Sequence, residues 1–173
     1  MAEVNPIQNS SRKTSVPVSL ERGKLPPQAI DLEEAVLGAL MIDKKGLDEV
    51  IDILEPEYFY KPEHQELYRV VKDLFNNSQP IDILTVSQAL RKAGTLNKVG
   101  GDVYLVQLSQ KVSNAAHIEF HSRIIQQKFI QRRLIEVSSQ IIDKSYDETT
   151  DVFDLLDNAE KYSRMASKRF RRN

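Results

Sequence analysis

The 173-residue chain contains no cysteine. That absence removes disulfide frameworks, thiolate nucleophiles and cysteine-ligated zinc together. Its six glycines are few for an enzyme built on phosphate-cradling loops. No Gly-x-x-x-x-Gly-Lys-Ser/Thr or Gly-x-Gly-x-x-Gly occurs, so nucleotide binding by either design is excluded. No window approaches the roughly 18 to 20 apolar residues of a membrane span. Met1 to Ser15 lacks the apolar run of a signal peptide. Without cysteine or a leader, the expected location is a reducing cytoplasm. Neither sign of charge dominates: 24 basic and 25 acidic side chains leave a net charge of −1. A polycationic nucleic-acid coat and an acidic decoy are both ruled out.

What is present reads as helix. Residues 1–24 mix Asn, Ser, Gln and Pro without a period and are expected to form a disordered arm. After Pro26-Pro27, Asp31 is placed to cap a helix carrying Leu32, Val36, Leu37, Leu40 and Met41. A turn at Asp43 to Gly46 precedes the stripe Leu47, Val50, Ile51 and Leu54, which Pro56 stops. Pro62 suits a first helical position, and its helix runs to Asn76-Asn77. Asp82 caps a fourth helix ending at Gly94, and Val103 to Leu108 is read as helix for want of a partner strand. These elements make a compact head over 25–114.

Neither glycine nor proline interrupts the chain from Ala115 to Lys144, so one helix of about 30 residues is permitted. A turn at Tyr146 to Thr150 leads to another, with Val152, Leu155, Leu156, Ala159 and Tyr162 in a stripe. The predicted fold class is therefore all-α, a helical head followed by a long antiparallel hairpin over 115–166. Both hairpin helices carry wide apolar faces, and two helices alone bury little. A second copy of the chain is expected to cover Ile124, Phe129, Ile130, Leu134, Val137 and Ile141 with the facing Val152, Leu155, Leu156 and Ala159. The alternative is that the hairpin packs on its own head.

Candidate chemistry is thin. His117 and His121 stand four apart on a helix, but Glu119 points away from both and no third ligand can be named. No catalytic, cofactor-binding or metal-ligating residue is assigned. His64, in an amphipathic helix, is expected to hydrogen-bond near the core. The carboxylates are expected on solvated helix faces. Arg123, Lys128, Arg132 and Arg133 form one basic cluster, and Lys168, Arg169, Arg171 and Arg172 close the chain in another. Residues 167–173 are read as the start of a basic linker whose DNA contact is weak or indirect; the alternative is a small helical DNA-binding protein that uses this second cluster directly. The segment Asp82 to Val112 lacks the tight turn and the positive second helix of a helix-turn-helix DNA reader.

The ordered string of motifs resembles the N-terminal domain of bacterial DnaB-type replicative helicases. It comprises Pro26-Pro27, Glu33 to Asp43, Leu54 to Tyr60, His64-Gln65-Glu66-Leu67-Tyr68, Pro80-Ile81-Asp82 with Thr85-Val86, and Val99-Gly100-Gly101 with Tyr104-Leu105. Arg132-Arg133-Leu134-Ile135 on the long helix matches as well. The resemblance implies an all-helical, non-catalytic head and hairpin. Such heads pair through their hairpins, form a trimer of dimers as the hexamer's collar, and bind the C-terminal helicase-binding domain of primase. It also implies that ATP, Mg2+ and 5′-3′ strand translocation belong to a motor domain outside this chain.

Overall fold

A computed structural model describes residues 24–111 and 117–170, without the side chains of 44, 45 and 165–170. Nearly all of the expected arm, the expected boundary at 114/115, Arg171, Arg172 and the side chains of Lys168 and Arg169 lie outside that description. Among the described residues the secondary structure is helical, with no strand. The all-α class is as the sequence predicts. No helix among them is long and apolar enough to cross a membrane.

Helix α1 spans Ile30–Leu40. Its cap position is Ala29 rather than Asp31, because the Ala29 carbonyl accepts the Leu32 and Glu33 amides at 3.0 Å each. Asp31 instead lies in the first turn, where the helix dipole still favours a carboxylate. Helix α2, Lys44–Val50, starts inside the expected turn and ends a turn early. Glu55 precedes Pro56 and is extended (φ −123°, ψ 153°), so the chain tightens into a 3-10 turn at Pro56–Tyr58. Leu47, Val50 and Leu54 are nevertheless buried as the stripe requires.

Helix α3 spans Pro62–Asn76 with proline at its first turn. Helix α4 spans Ile83–Lys92, and Asp82 Oδ1 accepts from the Thr85 amide at 2.8 Å. A single-turn helix α5, Leu96–Val99, was not anticipated from the pattern. Gly100 follows with φ +109°, and helix α6 spans Gly101–Gln110. A Cβ at Gly100 would stand 2.9 Å from that of Tyr104, so this glycine is required both by its backbone and by its neighbour.

Helix α7 runs over Ile118–Ser145, 28 residues or about 42 Å. Asp151 Oδ1 accepts the Phe153 amide at 2.8 Å and opens helix α8, Val152–Phe170. Helices α7 and α8 pack on each other as the predicted hairpin, and α7 also packs on α1, α2 and the 3-10 turn. One apolar core results. Leu37, Leu40, Leu54, Phe59, Leu67, Leu90, Leu105 and Leu108 fill it, and Ile118 and Ile125 of α7 close it.

This last feature corrects the idea that a second copy must cover the whole hairpin. The head covers the inward face of the first half of α7, while Phe120 on that half stays 64% exposed. Ile125 is only 1% exposed, and the Phe129 ring stacks on Tyr58 of the same chain with centroids 4.6 Å apart.

Candidate assembly surface and the buried network of the head

Beyond the head the hairpin is open to solvent. Leu134 is 49% exposed, Val152 73% and Leu156 65%. Val137 and Ile141 on α7, with Leu155 and Ala159 on α8, are half-buried where the two helices meet. Ile124 and Ile130 are half-buried as well. The predicted set therefore divides. Ile124, Phe129 and Ile130 lie on the half of α7 that packs on the head, Val137, Ile141, Leu155 and Ala159 hold the hairpin together, and Leu134, Val152 and Leu156 face outward. Phe153 was missed. Its ring is 79% exposed beside Val152, and it falls outside the i, i+3, i+4, i+7 spacing that defines the stripe. Ile135 and Ile142 add exposed area on α7.

Within the head lies a polar network that corrects the placing of all carboxylates on solvated faces. Glu33 is 1% exposed and Glu34 7%. Both turn inward because α1 is covered by α6 on one side and α7 on the other. Glu33 Oε1 accepts from the Tyr60 amide at 2.6 Å, and its Oε2 stands 2.6 Å from His64 Nδ1. His64, fully buried on α3, reaches the Tyr104 hydroxyl of α6 through Nε2 at 2.7 Å. In the neutral ring this arrangement puts the proton on Nδ1, facing the carboxylate, and leaves Nε2 to accept from Tyr104. The expected hydrogen-bonding role of His64 is thus met by two partners.

Tyr104 also stands 3.5 Å from Glu34 Oε1, and Lys111 Nζ donates to Glu34 Oε2. Burial, seconded by the Glu34 charge, pushes the Tyr104 phenol up to about 12. At Glu34, burial raises the pKa, but the hydrogen bond and charge of Lys111, joined by His64 and Lys61, together outweigh it and hold the carboxyl below its ordinary value. Lys111 is raised in turn by that hydrogen bond. Three helices are tied through one chain of polar contacts. No local sequence signal announces it, since its members are 31, 40, 70 and 77 positions apart.

The three arginines of the first basic cluster are engaged within the chain. Arg123 bonds Glu119 at 2.8 Å, and Arg133 pairs with Glu136. Arg132 donates to the Pro27 carbonyl at 2.8 Å and the Tyr58 carbonyl at 2.7 Å. Burial draws its guanidinium pKa down, with Glu33 opposing. His117 and His121 have ring centroids 6.4 Å apart, and among the described residues no group of three or more His, Cys, Asp or Glu is placed to hold a metal.

Residues 25–127 match the DnaB-like helicase N terminal domain family. The chain belongs to that family. The DnaB-type domain is 41% identical over 140 residues to the replicative DNA helicase DnaB of Rhodothermus marinus. That alignment takes in 81% of this chain but 15% of the relative, so the chain spans a small part of that protein's length. Its fold matches the crystal structure of the N-terminal domain of DnaB helicase from Mycobacterium tuberculosis. The TM-score is 0.75 and the identity 33%, covering 80% of this chain and 97% of that one. A DnaB-like replicative helicase, solved in a study of its interactions with primase, shares the fold at TM-score 0.64 and 24% identity. That likeness covers 78% of this chain and 31% of the other. The DnaB-type resemblance drawn from the motifs and the all-helical head with its hairpin are both established by these likenesses.

Proposed function

We propose that this DnaB-type domain is the assembly and partner-docking part of a replicative DNA helicase, acting in the bacterial cytoplasm. Copies pair through the outer half of the hairpin, and three such pairs form the collar of a hexamer. The exposed apolar side chains of Leu134, Val152, Phe153 and Leu156 carry this reading, because large apolar side chains left open on one element mark a protein contact. A stable pairing would bury about 1,600 Å² in total. ATP and Mg2+ serve a motor domain outside the chain, and no residue here is assigned to catalysis.

Primase, through its C-terminal helicase-binding domain, is the proposed second partner. A fold relative studied with primase supports that partnership. DNA contact is weak or indirect. Sedimentation tests the assembly: this chain is expected to be dimeric at ~100 μM, on the standard-sized interface. Leu134→Glu should give monomers of unchanged helicity. A wild-type monomer at that concentration sinks the reading, and loss of helicity in the variant would mean that Leu134 serves folding instead. Titrating labelled DNA at low and moderate salt tests the alternative, in which Lys168, Arg169, Arg171 and Arg172 bind it directly.

A further inference from the structure

The hairpin is seated on the head by a series of contacts along α7. Ile118 lies over Gly46, where a Cβ would come within 3.0 Å of it, and Ile125 enters the core. Gln126 Nε2 reaches the Ile53 carbonyl at 3.4 Å, and Phe129 stacks on Tyr58. Arg132 stands farthest along in this series. Its two terminal guanidinium nitrogens donate to carbonyls from two separate segments, Pro27 before α1 and Tyr58 in the 3-10 turn. Its guanidinium carbon lies 5.5 Å from the Tyr60 ring centroid and 5.8 Å from that of Phe129. Downstream, Leu134, Ile135 and Ile142 are exposed.

These contacts differ in what they constrain. Apolar packing at Ile125 and Phe129 holds α7 close but is non-directional, so it tolerates sliding and rotation. A planar guanidinium gripping two carbonyls is directional. The 13 helical steps from Arg132 to Ser145 form a lever of about 20 Å, so about 10° of freedom at Arg132 would carry the tip ~3.5 Å.

We propose that Arg132 is the positioning residue that sets the angle between head and hairpin. The angle is a property of one chain. Its consequence, that the outward face is presented in one orientation to a second copy, rests on the assembly reading above.

The absence of cysteine makes the test direct. Spin labels on Asn76→Cys in the head and Glu148→Cys at the tip report the angle, while Asn76→Cys with Gln107→Cys reports the head alone. Labelled chain is diluted in excess unlabelled chain of the same genotype, so only intrachain distances are read. A single narrow head-to-tip distribution is expected with Arg132 present. Arg132→Met and Arg132→Lys should each widen it at least twofold, with the head pair unchanged, since a lysine cannot grip two carbonyls with a planar fork. Either variant keeping the wild-type width overturns the proposal. So does equal widening of the head pair, which would make Arg132 a part of head stability only. Sedimentation of the same samples reads pairing separately, so a chain that never dimerises leaves the intrachain result to decide the angle on its own.

Discussion

Tyr104 has one hydroxyl proton and two acceptors near it, His64 Nε2 at 2.7 Å and Glu34 Oε1 at 3.5 Å. The nearer, fully buried ring nitrogen has the greater need, because an unmet polar atom away from water keeps its whole desolvation penalty. Tyr104→Phe removes that partner and should cost about 1–3 kcal/mol in urea unfolding at pH 7. A loss near zero would show that His64 is satisfied without the tyrosine. Glu34 and Lys111 set a pH dependence around the same point. The folded carboxyl of Glu34 lies below its ordinary 4.5, so its contribution is complete above that value and is lost as pH falls through the folded pKa. Lys111 lies above its ordinary 10.5; its share is complete below that value and is lost as pH rises through the folded pKa. Lys111→Met should therefore flatten the stability profile at both ends, which unfolding midpoints measured from pH 3 to 11 would reveal. An unchanged profile would remove the pair from any such role.

Helix α7 serves two environments along one length. Its first half completes the head core at Ile118 and Ile125, and its second half, from Leu134 onward, meets solvent and α8. The two halves should respond differently to the same kind of truncation. Ile125→Ala opens a cavity in a packed core and is expected to cost about 2–5 kcal/mol. Leu156→Ala, on the outer face of α8, should change the stability of a dilute, monomeric chain by no more than about 0.5 kcal/mol. Equal losses at the two positions would mean that the outer face is sealed within one chain after all. Gly100 shows the same dependence of an element on its neighbours. Its left-handed backbone and missing Cβ let α6 begin directly beside α5 with Tyr104 aimed into the network.

The described residues pair a well-filled head with a hairpin that leaves apolar side chains exposed. An association that hides them stabilises the folded chain by mass action, so the melting temperature should rise with protein concentration. Differential scanning measurements from ~1 to ~100 μM, bracketing the pairing constant of a weak standard-sized interface, should show that rise. Leu134→Glu should abolish it. A melting temperature independent of concentration in the wild type would argue against pairing as a source of stability.

Much of this architecture was legible in the residues alone. The proline at the start of α3, the aspartate capping α4 and the uninterrupted apolar period of α7 are local features, decided within a turn or two of chain. The membership of the DnaB-type family came from motif order for the same reason. Two things could not be read that way. The inward turn of Glu33 and Glu34 depends on His64, Tyr104 and Lys111, which adjoin them only after α1, α3 and α6 have packed. And an apolar stripe has the same spacing whatever covers it: the head reaches along α7 as far as Arg132, and that finite reach divides a continuous pattern into core and open surface.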